Sequence, residues 1–265
     1  MKSKIFIFLF ACVPILTGCS TKAIQETSLT EENTESVQFQ QDVLQKLSAA
    51  PNTEVFSKDY YTENNWNKKI VNLQMADLTR DGVDDYIVTI IYTAPTVTTD
   101  DPSEMLKSGG VGYIQVYDGS NTTGLDELGT LLWEKEFAVA HAGNAQVNLV
   151  HRDELDYLMP TDIYAQMGNY YFHYEVLYLD AEGNIYIVEE QSLNYNTMEN
   201  GEQRPFNDEE KQEIANFKEK MYTWFEGATL LVAADVNLPK QLVSTPGQQY
   251  VPEDYYETAL QEYIQ

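Results

Sequence analysis

The run from Gly168 to Glu190, GNYYFHYEVLYLDAEGNIYIVEE, alternates so regularly that it admits one local structure. Tyr170, Phe172, Tyr174, Val176 and Tyr178 recur at every second position, the period of a strand with one buried face, and Gly183-Asn184 supplies the turn of a hairpin. Strand-like neighbours precede it. VNLQMAD and DYIVTIIY are separated by a short polar turn, and VGYIQVYDG and TLLWEKEFAV by Asp118-Gly119 and a Gly/Asn/Thr-rich stretch. The Thr/Pro/Asp/Gly-rich loop over 94–110 is long for a structureless connection, and reads as either disordered or a functional rim. Helical spacing brackets this β-rich block. Phe39, Val43, Leu44 and Leu47 predict a short helix stopped at Ala49-Ala50-Pro51. Asn207 and Glu210 form a capping box, and Ile214, Phe217, Met221, Trp224 and Phe225 make one stripe of a helix over 208–226. TLLVAADV adds a strand, and Pro252 opens a last helix in PEDYYETALQEYI. The expected class is α+β, a mainly antiparallel β-sheet domain with a short N-terminal helix and C-terminal helices.

The first residues constrain location. Lys2 and Lys4 precede an apolar run that is too short to span a bilayer and ends in Leu16-Thr17-Gly18-Cys19. This ending resembles the lipobox of bacterial lipoproteins, in which the cysteine sulfur takes a diacylglycerol and the chain is cut in front of it. The resemblance implies that residues 1–18 are a signal peptide and that Cys19 is lipidated, becoming the first residue of the mature protein. Two acyl chains, at about 0.8 kcal/mol per buried methylene, anchor durably where one would be marginal. Residues 19–36, rich in Ser, Thr and Glu, read as a disordered tether, and 37–265 as a single α+β domain. The expected localisation is extracytoplasmic, lipid-anchored to the cell membrane, in an envelope of one membrane or two.

Cysteine and charge exclude whole classes of chemistry. Cys12 leaves with the signal and Cys19 is consumed by the anchor, so the mature chain has no disulfide and no catalytic thiol. The chain carries 16 basic and 42 acidic residues. Removal of Lys2 and Lys4 leaves 14 cations and a net charge of −28. Nucleic acid is therefore excluded as a partner, and anionic lipid repels the domain that the acyl group holds in place.

One motif carries explicit chemistry: Asp77-Leu78-Thr79-Arg80-Asp81-Gly82-Val83-Asp84-Asp85. Calcium takes six to eight oxygens, and a tight loop can supply them from alternate side chains and a backbone carbonyl. Asp77, Thr79 and Asp81 occupy the first, third and fifth positions, Gly82 permits the turn, Val83 offers a carbonyl and Asp85 fills the ninth. The spacing resembles the calcium loops of FG-GAP and VCBS repeats, which implies Ca2+ as a cofactor bound by Asp77, Thr79, Asp81, Val83 and Asp85. Thr79 stands where Asp or Asn is usual and Arg80 where Gly is common. Val88 stands where an EF-hand places its bidentate glutamate. The competing reading is a plain Asp-Gly hairpin turn.

Other residues are assigned less. His141, His151 and His173 form no HExxH pair, and no nucleophile elbow, S-x-x-K pair, phosphate loop or dinucleotide fingerprint occurs. Of the 19 tyrosines most read as core, while Trp66 and the Tyr60-Tyr61 pair, set among Asn and Lys, are candidates for an exposed ligand-binding surface. The succession of the Asp-Gly loop, LLWEKEFAVAHAGNAQVNL, the Tyr-rich hairpin and the helix closing in WFEGATLLV is similar to uncharacterised lipoproteins of Gram-positive anaerobes over residues 70–236. That resemblance implies an exported, anchored domain with no assigned activity. The function expected is a non-enzymatic binding or structural domain whose partner, besides the bilayer, is a wall polymer or another exported protein. The alternative is an exported hydrolase acting on glycan or peptide through unidentified carboxylates. Metabolic labelling with palmitate should mark the wild-type chain and not Cys19→Ser; equal labelling of both would remove the anchor.

Overall fold

The computed structural model describes residues 59–121, 129–139, 143–235, 238, 240–244 and 250–264. The signal segment with Cys19, the tether, the helix expected over 37–50 and His141 lie outside the described residues. The fold is α+β with mainly antiparallel sheets, as the alternation predicts.

A one-turn helix α1 (Asp59–Glu63) leads into a hairpin of β1 (Asn67–Ala76) and β2 (Asp85–Thr93), followed by β3 (Val111–Tyr117) and β4 (Leu131–Ala138). These four form a small antiparallel sheet in chain order. The stretch between β2 and β3 is not structureless. Asp101 caps a short helix α2 (Pro102–Lys107) through its bond to the Ser103 amide, and α2 buries Met105 and Leu106. The composition of 94–110 concealed this because only Val97, Met105 and Leu106 in it are large and apolar.

The larger sheet is built from β5 (Gly143–Arg152), β6 (Leu155–Gln166), β7 (Asn169–Leu179) and β8 (Ile185–Asn196), extended on the other side by β11 (Ala228–Asp235) and β12 (Leu242–Val243). Its order is β12-β11-β5-β6-β7-β8. Pro160 sits within β6, and the ladder to β7 lapses between Leu158 and Thr161, since proline has no amide hydrogen to donate. A two-residue hairpin, β9 (Met198–Glu199) with β10 (Glu202–Gln203), then leads to helix α3 (Asp208–Phe225). Helix α4 (Pro252–Ile264) follows β12.

Alternation sorts side chains into layers. Ile87, Ile91, Ile114, Val116, Trp133 and Phe137 of the small sheet meet Val147, Leu158, Leu177, Leu179 and Leu231 of the large one, so the two sheets pack face to face. The opposite face of the large sheet receives the helices. Tyr170, Phe172, Tyr174 and Val176 bury against Ile214, Phe217, Met221, Trp224 and Phe225 of α3 and against Tyr256, Ala259 and Leu260 of α4, as the stripe over 208–226 predicts. The outer face of the small sheet is aromatic, with Tyr92, Tyr113 and Tyr117 buried there.

The start of α3 is fixed electrostatically. Asn207 accepts from the Glu210 amide while Glu210 accepts from the Asn207 amide, completing the capping box. Arg204 forks onto both Glu210 oxygens at 2.7 Å, and its Nε reaches Glu199 at 2.8 Å, tying the β9–β10 turn to the helix. The Arg204 guanidinium holds the Glu210 carboxyl down to about 2 from an ordinary value of 4.5. A carboxylate with a folded pKa below its unfolded one stabilises fully above the unfolded value and loses that contribution as pH falls toward the folded one. Glu210→Gln should therefore lower the melting temperature at neutral pH and flatten its decline between about pH 4.5 and about pH 2; an acid limb parallel to wild type would contradict this role.

Candidate functional site

The Asp77–Asp85 segment is the β1–β2 turn, and its centre is the carboxylate of Asp85, which is fully buried. One oxygen accepts from the amides of Leu78 and Thr79, each at 2.9 Å, and the other from the Gly119 amide at 3.1 Å and the Thr79 hydroxyl at 3.4 Å. Burial pushes the carboxyl up, and these bonds pull it back. Gly119 is required by close approach, because a Cβ there would stand 1.9 Å from the Asp84 carbonyl oxygen.

The turn joins the two sheets. Leu78 is buried in the inter-sheet core, and its carbonyl accepts from the Leu179 amide of β7 at 3.0 Å. The Asp77 amide donates to Asp156, beside β6 residue Tyr157, and Asp156 also meets His151 Nδ1 at 2.8 Å. Arg80, at φ 61°, lays its guanidinium 3.3 Å from the ring centre of Tyr178, and Tyr178 stacks on Tyr186 at 5.1 Å. The cation that the sequence places at the loop is thus engaged with an aromatic ring.

The outer half of the turn is arranged differently. Asp77 accepts from the amides of Asp81 and Gly82, Asp81 accepts from that of Val83, and Gly82 takes φ 87°. Residues Asp81, Val83 and Asp84 are exposed. Among the described residues no three His, Cys, Asp or Glu side chains converge to hold a metal. Of the expected calcium ligands, Asp85 and Thr79 are committed to the backbone and to each other. Asp77, which holds one backbone amide on each carboxylate oxygen, Asp81 and the Val83 carbonyl make up the rest of that expected set. The Asp84 carboxyl, on an exposed residue, is raised by partial desolvation and by the charges of Asp156 and Asp77, so anionic repulsion accumulates beside this outer half.

Tyr60, Tyr61 and Trp66 do not form one open platform. Tyr61 stacks on Tyr92 at 4.5 Å and bonds to the Tyr113 hydroxyl at 3.1 Å, and Trp66 lies 5.0 Å from Tyr61, so both help to cover the aromatic face of the small sheet. Tyr60 alone stands out, at 64% exposure. His151 and His173 hydrogen-bond to Asp156 and Ser192.

The surface that sequence reasoning missed lies where the large sheet outruns the small one. The inter-sheet core includes Leu177 and Leu179 of β7 but nothing from β8. Beyond β4, the edge of the small sheet, the large sheet continues as a ledge. Lys135 of β4 marks its inner corner with a 2.8 Å ion pair to Asp162 of β6. On the floor stand Tyr164, Tyr171, His173 and Glu175, then Ile185, Ile187, Glu190 and Ser192 of β8. A bulge opposite Val176–Leu177 adds Val188 to β8, which turns Ile185 and Ile187 onto this floor. Ile185, Tyr186, Ile187 and Val188 are each about half exposed, at 51%, 45%, 50% and 49%. The signal available in the sequence was the unbroken IYIV, where a strand with one wet face would alternate. A separate cleft of about 420 Å3 between the start of β1 and the 95–100 segment contains Lys68 and Lys69, and Lys69 is bonded there to Asp100.

No family model matches the chain, and neither a curated protein nor a solved structure matches it.

Asp85→Asn should destabilise the fold by about 2–3 kcal/mol with or without calcium, because the new amide turns a donor toward buried backbone N–H groups. Asp81→Ala should leave calcium-free stability nearly unchanged but abolish any rise in melting temperature on adding millimolar calcium. A wild type indifferent to calcium, or Asp81→Ala responding fully, would rule out a metal role for the outer turn.

Proposed function

We propose that this chain is an extracytoplasmic lipoprotein, anchored through acylated Cys19, that works as a non-enzymatic binding domain and presents the ledge of its large sheet to a wall polymer or another exported protein. The observation that carries this reading is Ile185 and Ile187, two large apolar side chains left half-exposed side by side on the ledge of a long edge strand, with Tyr186 and Val188 half-exposed beside them. Contiguous apolar surface of this kind marks an interaction site far more often than scattered exposed residues do. The acidic body and the 19–36 tether suit a domain held near an anionic membrane while standing clear of it. Calcium, bound through Asp77, Asp81 and the Val83 carbonyl with water completing the shell, would stiffen the turn that joins the sheets.

The alternative, an exported hydrolase, needs paired carboxylates across a cleft. Glu175 and Glu190 face one another in register, but they stand on an open sheet face, which favours binding.

The loss of Cys12 and acylation of Cys19 leave no competing thiol, so single introduced cysteines report on the surface in living cells. A membrane-impermeant maleimide should label Val251→Cys readily in intact cells and Ile187→Cys slowly, with both reacting freely once purified. Failure of both in intact cells would place the domain inside the membrane. Equal labelling of Ile187→Cys in cells and in pure protein would leave the ledge without a partner.

A further inference from the structure

We infer that β8 takes up an extended, cationic polypeptide segment of a partner protein as an added strand of the large sheet. This rests on the binding reading above and names the occupant of the same ledge.

The backbone supplies the template. β8 is the last strand of its sheet, paired with β7 along its length and with no other strand among the described residues on its outer side. Alternate amide and carbonyl groups therefore face outward over a strand of twelve residues, and strand addition to such an edge draws its affinity from main-chain hydrogen bonds.

Side chains on the ledge define what fits beside it. Glu175 and Glu190 are directly opposed on adjacent strands, an arrangement that is destabilising for like charges, and neither pairs with a cation among the described residues. The cations nearby are engaged elsewhere: Lys135 with Asp162, Arg80 on Tyr178, and Arg204 with Glu199 and Glu210. Asp180 and Glu182, in the β7–β8 turn, add further negative charge at the other end of the apolar row. A strand laid beside β8 would bring one side chain next to Glu190 and others next to Ile187 and Ile185, with alternate residues turned to the opposite face. The fitting segment thus places an apolar residue at alternate positions and a lysine or arginine where it passes Glu190.

Two other occupants fit less well. A second copy of the processed chain brings another −28 of charge. Antiparallel pairing sets residues of the same face opposite one another, so the two-fold passes through a residue pair, and centred on Glu190 or Gln191 it makes the two Glu190 side chains direct or diagonal neighbours. A glycan would need ring faces to lie on. Tyr171 and His173 instead stack against each other at 5.5 Å with planes 14° apart, turning their edges outward.

The test uses the acylated full chain in nanodiscs and a short fluorescent peptide of alternating lysine and valine. Saturable binding is expected, weakened about tenfold or more by Ile187→Lys and by Glu190→Lys, and lost when alternate peptide nitrogens are methylated with the side chains unchanged. Both substitutions are at exposed positions, and matching melting curves for wild type and variants exclude misfolding. Equal binding by the N-methylated peptide would reduce the contact to diffuse charge attraction and overturn strand addition. Unaltered affinity in Glu190→Lys would overturn the charge assignment. A concentration-dependent dimer abolished by Ile187→Lys would install a second copy in place of the peptide. Protection of Ile187→Cys in cells that soluble wall fragments compete away, without peptide binding, would leave the binding reading standing and sink this one; free labelling of Ile187→Cys would sink both.

Discussion

The structure depends on one buried carboxylate. Asp85 begins β2, yet its oxygens gather the amides of Leu78, Thr79 and Gly119, which belong to the turn before it and to the end of β3. An isolated buried charge is costly, and multiple backbone donors are what make it tolerable. By holding Leu78 and Thr79, Asp85 sets the backbone that offers the Leu78 carbonyl to β7 and sends Arg80 across to Tyr178. The Asp-rich turn that resembles a calcium loop is, in its inner half, a clasp between two sheets. A metal, if it joins, acts on the outer half.

Unequal sheet width gives the molecule its asymmetry. Four strands pack on six, and helices α3 and α4 cover the far side of the six. The inward-facing residues of β8 are thus neither covered by the small sheet nor needed by its core. The opposite margin of the same sheet is treated differently: β12 is only two residues long, which blunts it. The contrast between a short, closed margin and a long, open one is what singles out β8.

Much of the fold was legible because its periods are strict. The alternation from Tyr170 to Val176 and the stripe from Ile214 to Phe225 locate opposite sides of one core, and the Asn207–Glu210 box fixes where the helix begins. Helix α2 was not legible, since its apolar burial rests on Met105 and Leu106 alone within a run of turn-forming residues. At the site, spacing identified the 77–85 turn but could not tell a metal ligand from a backbone acceptor. Asp85 is chemically suited to either, and only the positions of Leu78, Thr79 and Gly119 decide. Tyr61 and Trp66 sit among polar residues in the chain yet against Tyr92 in space. The ledge was invisible for a related reason: IYIV looks like interior, and which sheet ends before reaching it is a property of topology.

The stack of Arg80 on Tyr178 on Tyr186 has a mechanical meaning. Tyr178 lies near the end of β7 and Tyr186 near the start of β8, so the guanidinium braces the corner where the edge strand is hinged to the sheet. A partner tugging along β8 would pull in shear against the whole β7–β8 ladder, with that braced corner as the fixed end. Such loading breaks many bonds together where peeling would break them one at a time. An edge built this way is suited to holding on under tension, which is a different design requirement from holding on tightly at rest.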